Sequence, residues 1–224
     1  TQGLLKSALV TWAAKGPRYG LDWRSSREPL GVFYDRTFRV AWKRQAVERN
    51  RALAGQALRY MPNGHVHYGI STVATRSPLI QADRYAVLIH VTSAPRKLWP
   101  EEGWVAVGQA LSDAGVISVL PWGSALEHER SVRLSQSIKG SVVPAAMDLS
   151  ELAGNLQHAH CAIGVDTGLT HLAGALGVAT IGIYTATDPE LTGLYGCTRA
   201  INLGDRGQTP NAEEVLRSLE TLTR

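Results

Sequence analysis

Cysteine is nearly absent: Cys161 and Cys197 are the only two in 224 residues. Both sit in apolar or neutral stretches, and no Cys/His pair has metal-ligand spacing. That excludes a disulfide framework, points to a reducing compartment and leaves no structural metal to expect. No apolar run approaches the ~20 residues that span a bilayer. No signal peptide is visible, and there is no internal repeat or low-complexity tract. An initiator Met is missing too. The chain opens on Thr1 and runs at once into "GLLKSALV", so it reads as a protein entered part-way through. What remains is the composition of a soluble globular protein, 44% hydrophobic and 19% charged, long enough for one large domain or two small ones.

Charge of one sign is scarce at the front. Residues 1–60 carry 12 Lys and Arg against 4 Asp and Glu, whereas residues 61–224 carry 11 against 15. The small net charge of +4 hides this asymmetry. A basic front segment suits an anionic partner: nucleic acid, a phosphorylated substrate or an acidic membrane surface. A solvated basic helix face would explain it equally well.

Local patterns order the chain. Residues 4–14 are apolar on most helical positions and predict a helix packed into a core. Residues 15–31, punctuated by Gly, Pro and Ser, read as a loop. Residues 41–60 predict a helix with Trp42, Ala46, Leu53, Ala57 and Leu58 on one face. Residues 61–84 show no period, and the stretch 73–84 is the expected linker between a first domain (1–72) and a second (85–210), followed by a terminal helix (211–224). From residue 85 the pattern is regular. Strands are expected at 85–91, 116–120, 141–144, 161–165 and 180–184. They alternate with helices at 100–115, with Pro100 at the first position, and at 125–138, 148–158 and 168–176. Asp148 with Glu151 three residues later is a capping box. Such alternation means a parallel sheet covered on both faces, a nucleotide-fold half.

Ligands of such sheets bind beyond the carboxyl ends of the strands. Three loops with useful chemistry leave strands there. "HVTSAPRKLWP" (90–100) offers Thr92, Ser93, Lys97 and backbone N–H groups to a diphosphate; an exposed polar loop is the alternative. "LPWGSALEHER" (120–130) offers Glu127 to a base or ribose, or merely places an acid at a helix start. "GVDTGLTHLAGALG" (164–177) turns an apolar strand into a helix through Asp166, Thr167, Gly168, Thr170 and His171. A helix N-terminus at Thr167–Gly168 makes an anion site. Asp166 is either its cap or a receiver for sugar hydroxyls. A cap does not explain His171, and a core histidine does not explain Gly168.

"VDTGLTHLAGALG" followed by "TDP" resembles the bacterial heptosyltransferases, inverting glycosyltransferases with two Rossmann-like domains in the GT-B fold. "QGLLKSAL", "GLDWRSSREPL", "KLWPEEGW" and "LPWGSALEHER" extend the resemblance, in the same order, over most of the chain. It implies an α/β, GT-B architecture with the first domain incomplete. The implied donor is ADP-heptose, with no cofactor or metal. The diphosphate and sugar would lie at Thr92, Ser93, Lys97, Asp166, Thr167, Gly168 and His171, and the nucleoside at Glu127 and Met147. Lys97 and Asp166 would be the catalytic residues. The acceptor would be a Kdo sugar of lipid A, held by Lys6 and Arg27, in lipopolysaccharide inner-core synthesis. The enzyme would be cytoplasmic and peripheral on the anionic inner membrane, with no nucleic-acid partner. Two departures stand out. Thr185 and Ala186 replace the family's Gly-Pro before Thr-Asp-Pro. The family's first strand and Gly-Asp loop, which carries the general base, have no counterpart, and Asp22, Glu28, Asp35 and Glu48 belong to other segments. The competing expectations are a glycosyltransferase with another nucleotide-sugar donor, a nucleotide-binding fragment without turnover, and, more weakly, a nucleic-acid binder.

Overall fold

The computed structural model describes residues 4–64, 66–71, 80 and 83–224. They divide into two compact units. One comprises 1–65 together with Glu190–Tyr195; the other comprises 66–189 and 196–224. The sequence reading had kept 190–195 in the second domain. Of its expected linker, residues 73–79, 81 and 82 lie outside the described residues. Ile80 is buried in the core of the second unit.

The first unit holds helix α1 (Leu5–Ala13), strands β1 (Tyr19–Leu21) and β2 (Arg36–Phe38), and helix α2 (Ala46–Leu58). The strands pair in parallel, Tyr19 opposite Arg36 and Leu21 opposite Phe38. β1 lies inside the stretch read as a loop: three residues are too few for a period-2 signal to emerge among Gly and Pro. Two small apolar clusters hold the unit, one of Ala8, Leu30 and Tyr34, the other of Leu21, Val40 and Leu53. The expected burial of α1 is not met. Ala8 is its buried residue, while Leu5, Leu9, Val10 and Trp12 are exposed. The 41–60 helix starts only at Ala46. Of the face assigned to it Leu53 is buried, whereas Trp42, Ala46 and Leu58 are exposed. Trp42 instead carries the guanidinium of Arg49 over its ring at 4.3 Å.

The second unit is a five-stranded, all-parallel sheet. Its elements run β3 (Tyr85–Ile89), α3 (Glu101–Asp113), β4 (Ile117–Val119), α4 (Ala125–Ser137), α5 (Leu149–Gln157), β5 (Cys161–Val165), α6 (Gly168–Ala175), β6 (Thr180–Tyr184), the single turn α7 (Pro189–Thr192), β7 (Ala200–Gly204) and α8 (Ala212–Thr223). Strand order is β4-β3-β5-β6-β7. Every residue of β3, β5 and β6 is buried, which is why these strands read as unbroken apolar runs. Alternate residues feed opposite cores. Ala86 and Leu88 join Trp104, Val107, Leu134, Ile138 and Val215 on one face. Tyr85, Val87 and Ile89 join Leu156, Ala173 and Val178 on the other. The Asp148–Glu151 capping box is present, with both bonds made. Pro100 is the N-cap of α3 rather than its first helical residue. The expected strand at 141–144 is reduced to one bridge, Val119 to Val142.

β3 is the first strand of this sheet, with β4 on one side and β5 on the other. Consecutive connections therefore leave it in opposite directions. The switch point lies between β3 and β5, and it is beyond the carboxyl ends of such strands that ligands bind. Residues 90–100 follow β3 there, and 166–168 follow β5.

Candidate active site

The first loop is fixed at several points. Residues Pro95–Lys97 form a single 3-10 turn in which Lys97 N–H donates to the Ala94 carbonyl at 2.9 Å. Thr185 Oγ1 donates to the Arg96 carbonyl at 3.2 Å. Trp99 Nε1 donates to the Pro210 carbonyl at 2.8 Å, and Arg130 donates to the Trp99 carbonyl at 2.9 Å. Lys97 is thereby carried on a held backbone.

The second loop is held by its own strand and helix. Asp166 N–H extends the ladder to the Ile183 carbonyl at 3.1 Å. Thr170 Oγ1 donates to the Val165 carbonyl at 2.6 Å, tying the first turn of α6 to the end of β5. Asp166 is not the helix cap. Thr167 occupies that position in an extended conformation, and its side chain makes no capping bond. The start of α6 is also sterically open: a Cβ at Gly168 would meet nothing within 4 Å. An uncapped, unobstructed N-terminus keeps its partial positive charge available to an anion.

At this point the two loops meet. Lys97 Nζ lies 2.8 Å from Asp166 Oδ2, and the same oxygen accepts a bond from Thr187 Oγ1 at 2.6 Å. His171 Nε2 stands 3.7 Å from Oδ1. Thr92 Oγ1 and Lys97 Nζ both reach the Asp166 main-chain carbonyl at 3.5 Å. The Asp166 side chain is only 8% exposed. Burial alone would favour its neutral form, but hydrogen bonds from His171, Lys97 and Thr187 outweigh burial and hold the carboxyl well below the usual carboxylate range.

Thr92, Lys97, Asp166, Thr167 and His171 therefore share one site, with Gly168 at its open edge. Ser93 is exposed on the same loop. Glu127 and Met147 make bonds in their own neighbourhoods. Glu127 Oε2 accepts from Gly123 N–H at 2.8 Å at the start of α4, where Ser124 is the N-cap. Met147 Sδ accepts from Asn155 Nδ2 at 3.0 Å. Lys6 and Arg27 are exposed on the first unit. Thr187 was not singled out from sequence. Its signal was the "TDP" tripeptide, and its partner lies 21 positions earlier. Among the described residues no three His, Cys, Asp or Glu side chains gather to hold a metal, and no helix is long and apolar enough to cross a membrane.

This geometry has relatives. Residues 1–220 match the family described as glycosyltransferase family 9 (heptosyltransferase). The chain is 38% identical over 226 residues to lipopolysaccharide heptosyltransferase 1 of Escherichia coli K12, covering 99% of this chain and 71% of that protein. It is 42% identical over 209 residues to the Pseudomonas aeruginosa protein of the same name, covering 91% of this chain and 58% of that one. Among solved structures, the E. coli heptosyltransferase WaaC with ADP superposes with a TM-score of 0.82 at 35% identity, over 98% of this chain and 70% of that one. The same enzyme is known with ADP-2-deoxy-2-fluoro heptose, at the same TM-score. E. coli ADP-heptose heptosyltransferase II shares the fold, with a TM-score of 0.72 at 19% identity. The chain thus spans between 58% and 71% of the length of these two curated relatives. On the family match and these identities, with an α/β fold of the GT-B type, the chain belongs to glycosyltransferase family 9, the heptosyltransferases.

Proposed function

We propose that this chain supplies the donor site of an inverting transferase that moves L-glycero-D-manno-heptose from ADP-heptose to the Kdo of lipid A. The observation that carries the reading is the pairing of Lys97 with the buried Asp166 at the switch point, beside the open N-terminus of α6. In an inverting transfer, an acceptor hydroxyl oxygen forms a bond to the anomeric carbon while the bond from that carbon to the diphosphate oxygen breaks. The electron pair leaves with ADP, and the hydroxyl proton passes to a base. Charge builds on the departing diphosphate. Lys97 and the first turn of α6 stabilise it there, with no metal invoked. Thr92 and Ser93 add hydroxyl donors. Asp166 holds Lys97 in place through Oδ2, and its other oxygen, beside His171, would receive a heptose hydroxyl. Glu127 and Met147 would border the nucleoside.

The acceptor side rests on charge. Lys6 and Arg27 are exposed in a segment where cations outnumber acids three to one. The acceptor is anionic and membrane-bound, which places the reading at the cytoplasmic face of the inner membrane. The direct test is calorimetric titration with ADP, UDP, GDP and CMP. Selective ADP binding, abolished in Asp166→Ala and in Lys97→Ala, is expected. Preference for UDP would reassign the donor. Failure of all four with a cooperatively melting sample would remove the donor site from this chain.

A further inference from the structure

Lys97 is held at its ammonium end by Asp166 and at its backbone end by contacts that reach away from the donor site. Two residues after it stands Trp99, only 2% exposed. The Trp99 ring meets Trp104 edge-on, with 5.1 Å between centroids, and its indole N–H donates to the Pro210 carbonyl. The ring also lies against Gly103 of α3, where a Cβ would stand 2.7 Å from Trp99 Cζ2. α4 completes the hold. Arg130 Nη2 donates to the Trp99 carbonyl at 2.9 Å. The next residue, Ser131, places its Oγ 3.0 Å from Nε2 of the buried His90, at the other end of the same loop. Two consecutive residues of one helix therefore fix both ends of residues 90–99.

Arg130 is an unfavourable residue to place there for stability alone. Its side chain is only 14% exposed. Its Nε, His90 Nδ1 and Trp104 Nε1 are buried without a hydrogen-bond partner among the described residues. Buried cations and unmet donors cost stability, and apolar side chains would fill the same space at least as well. Nor is Arg130 needed to join α3 to α4. Its Nη1 stands 3.3 Å from Glu101 Oε1, but the exposed Arg133 reaches the same oxygen at 3.1 Å. What Arg130 alone supplies is the bond to the Trp99 carbonyl, two residues from Lys97. A displacement of ~1 Å in a catalytic group can cost ~10²-fold in rate, so a held backbone beneath Lys97 has a use that stability does not explain. We infer that Arg130 is a positioning residue: through Trp99 it sets where the Lys97 ammonium stands against the departing diphosphate. The inference rests on the donor role given to Lys97.

NMR of the 224-residue chain, with isotope-labelled dimethyl groups on its lysines, tests the hold on Lys97 without any ligand. Lys97→Arg identifies its signal. Arg130→Met should move that signal towards its position in Asp166→Asn, and Arg130→Lys should move it less. Arg133→Met, which removes the other cation on Glu101, should leave it in place. Titration supplies the second readout. Arg130→Met should weaken ADP by about tenfold, the scale of one charge-assisted hydrogen bond lost at the diphosphate, while adenosine, which has no diphosphate, binds as before. Should the unsubstituted chain bind no ADP, the donor reading fails, and the lysine signal alone decides whether Arg130 positions Lys97. A thermal melt certifies each sample. If Arg130→Met does not melt cooperatively, Arg130→Lys takes its place, with a smaller movement of the same sign. An unmoved Lys97 signal, an equal movement in Arg133→Met, or ADP and adenosine weakened alike overturns the proposal.

Discussion

Asp166 stays charged although little water reaches it, and its partners make the difference. Removing Lys97 leaves a buried carboxylate facing only Thr187 and His171. In an enzyme of the relatives' full length, Lys97→Ala should lower kcat by ~10²–10³-fold, the scale of losing one preorganised donor. Unchanged turnover would end the role given to this lysine. Thr187→Val removes a hydrogen bond to a charged group and should cost ~1.5–3 kcal/mol in urea denaturation. The pH dependence follows from the sign of the shift. A carboxyl depressed in the folded state contributes stability that is fully present above its unfolded value near ~3.9 and is lost as pH falls from there towards the folded value. Asp166→Asn should flatten that acid limb. His90 acts at higher pH. Burial, reinforced by Arg130, pushes its imidazole down to about 3, so the unfolded chain binds the proton that the folded one refuses. Stability should therefore fall as pH drops below ~6.5, by ~2 kcal/mol at pH 5, and His160, also lowered by burial, adds in the same direction. His90→Gln should reduce that loss in equilibrium unfolding. Arg59 ends α2 at φ 59, and Arg59→Gly should relieve ~1 kcal/mol of left-handed strain and raise the melting temperature.

Elements were legible where local rules and tertiary packing agree. β3, β5 and β6 are apolar runs bounded by turn residues and were readable for that reason. The Asp148–Glu151 box announced α5, and Asp148→Ala should cost ~1 kcal/mol in thermal unfolding. Strand–helix alternation put the loops at 90–100, 120–130 and 164–177 at one sheet edge, while the residues within them were picked out by their chemistry and by the family resemblance. β7 was missed because all five of its residues are only half-buried, and a short "AINLG" resembles a loop. The α2 face was misjudged because Trp42 precedes the helix and stacks on Arg49, so its hydrophobicity was never part of the stripe. At the junction of β5 and α6, Gly164 is close-packed. A Cβ there would run into Thr170 Oγ1 and stand 3.0 Å from the Ile89 Cβ. Gly164→Ala should displace Thr170 from the Val165 carbonyl and cost ~1–3 kcal/mol.

At the scale of the molecule, charge segregation along the chain was visible at once, but its geometry was not. The first unit is completed by Glu190–Tyr195, more than a hundred positions after α2, where the Tyr195 hydroxyl donates to Glu48. No local pattern encodes such a return. The basic residues of 1–60 carry a separate expectation. Co-sedimentation with phosphatidylglycerol vesicles should be appreciable at about 0.01 M salt, where screening extends over ~30 Å, and should fall sharply at about 0.15 M, where it extends over ~8 Å. Binding that ignores salt would detach the front segment from any lipid-facing role.

The excursion of Glu190–Tyr195 also governs how the gene can be cut. A fragment ending at residue 65 would carry α2 without the Tyr195 hydroxyl that Glu48 holds and without the Gly193 carbonyl that accepts from Gln45 Nε2 at 3.0 Å. The complementary fragment would carry those six residues with nothing to dock on. Two polypeptides split at that boundary should therefore recover function on mixing better than either does alone, as a split reporter does, and a circularly permuted version opened there should tolerate the new termini.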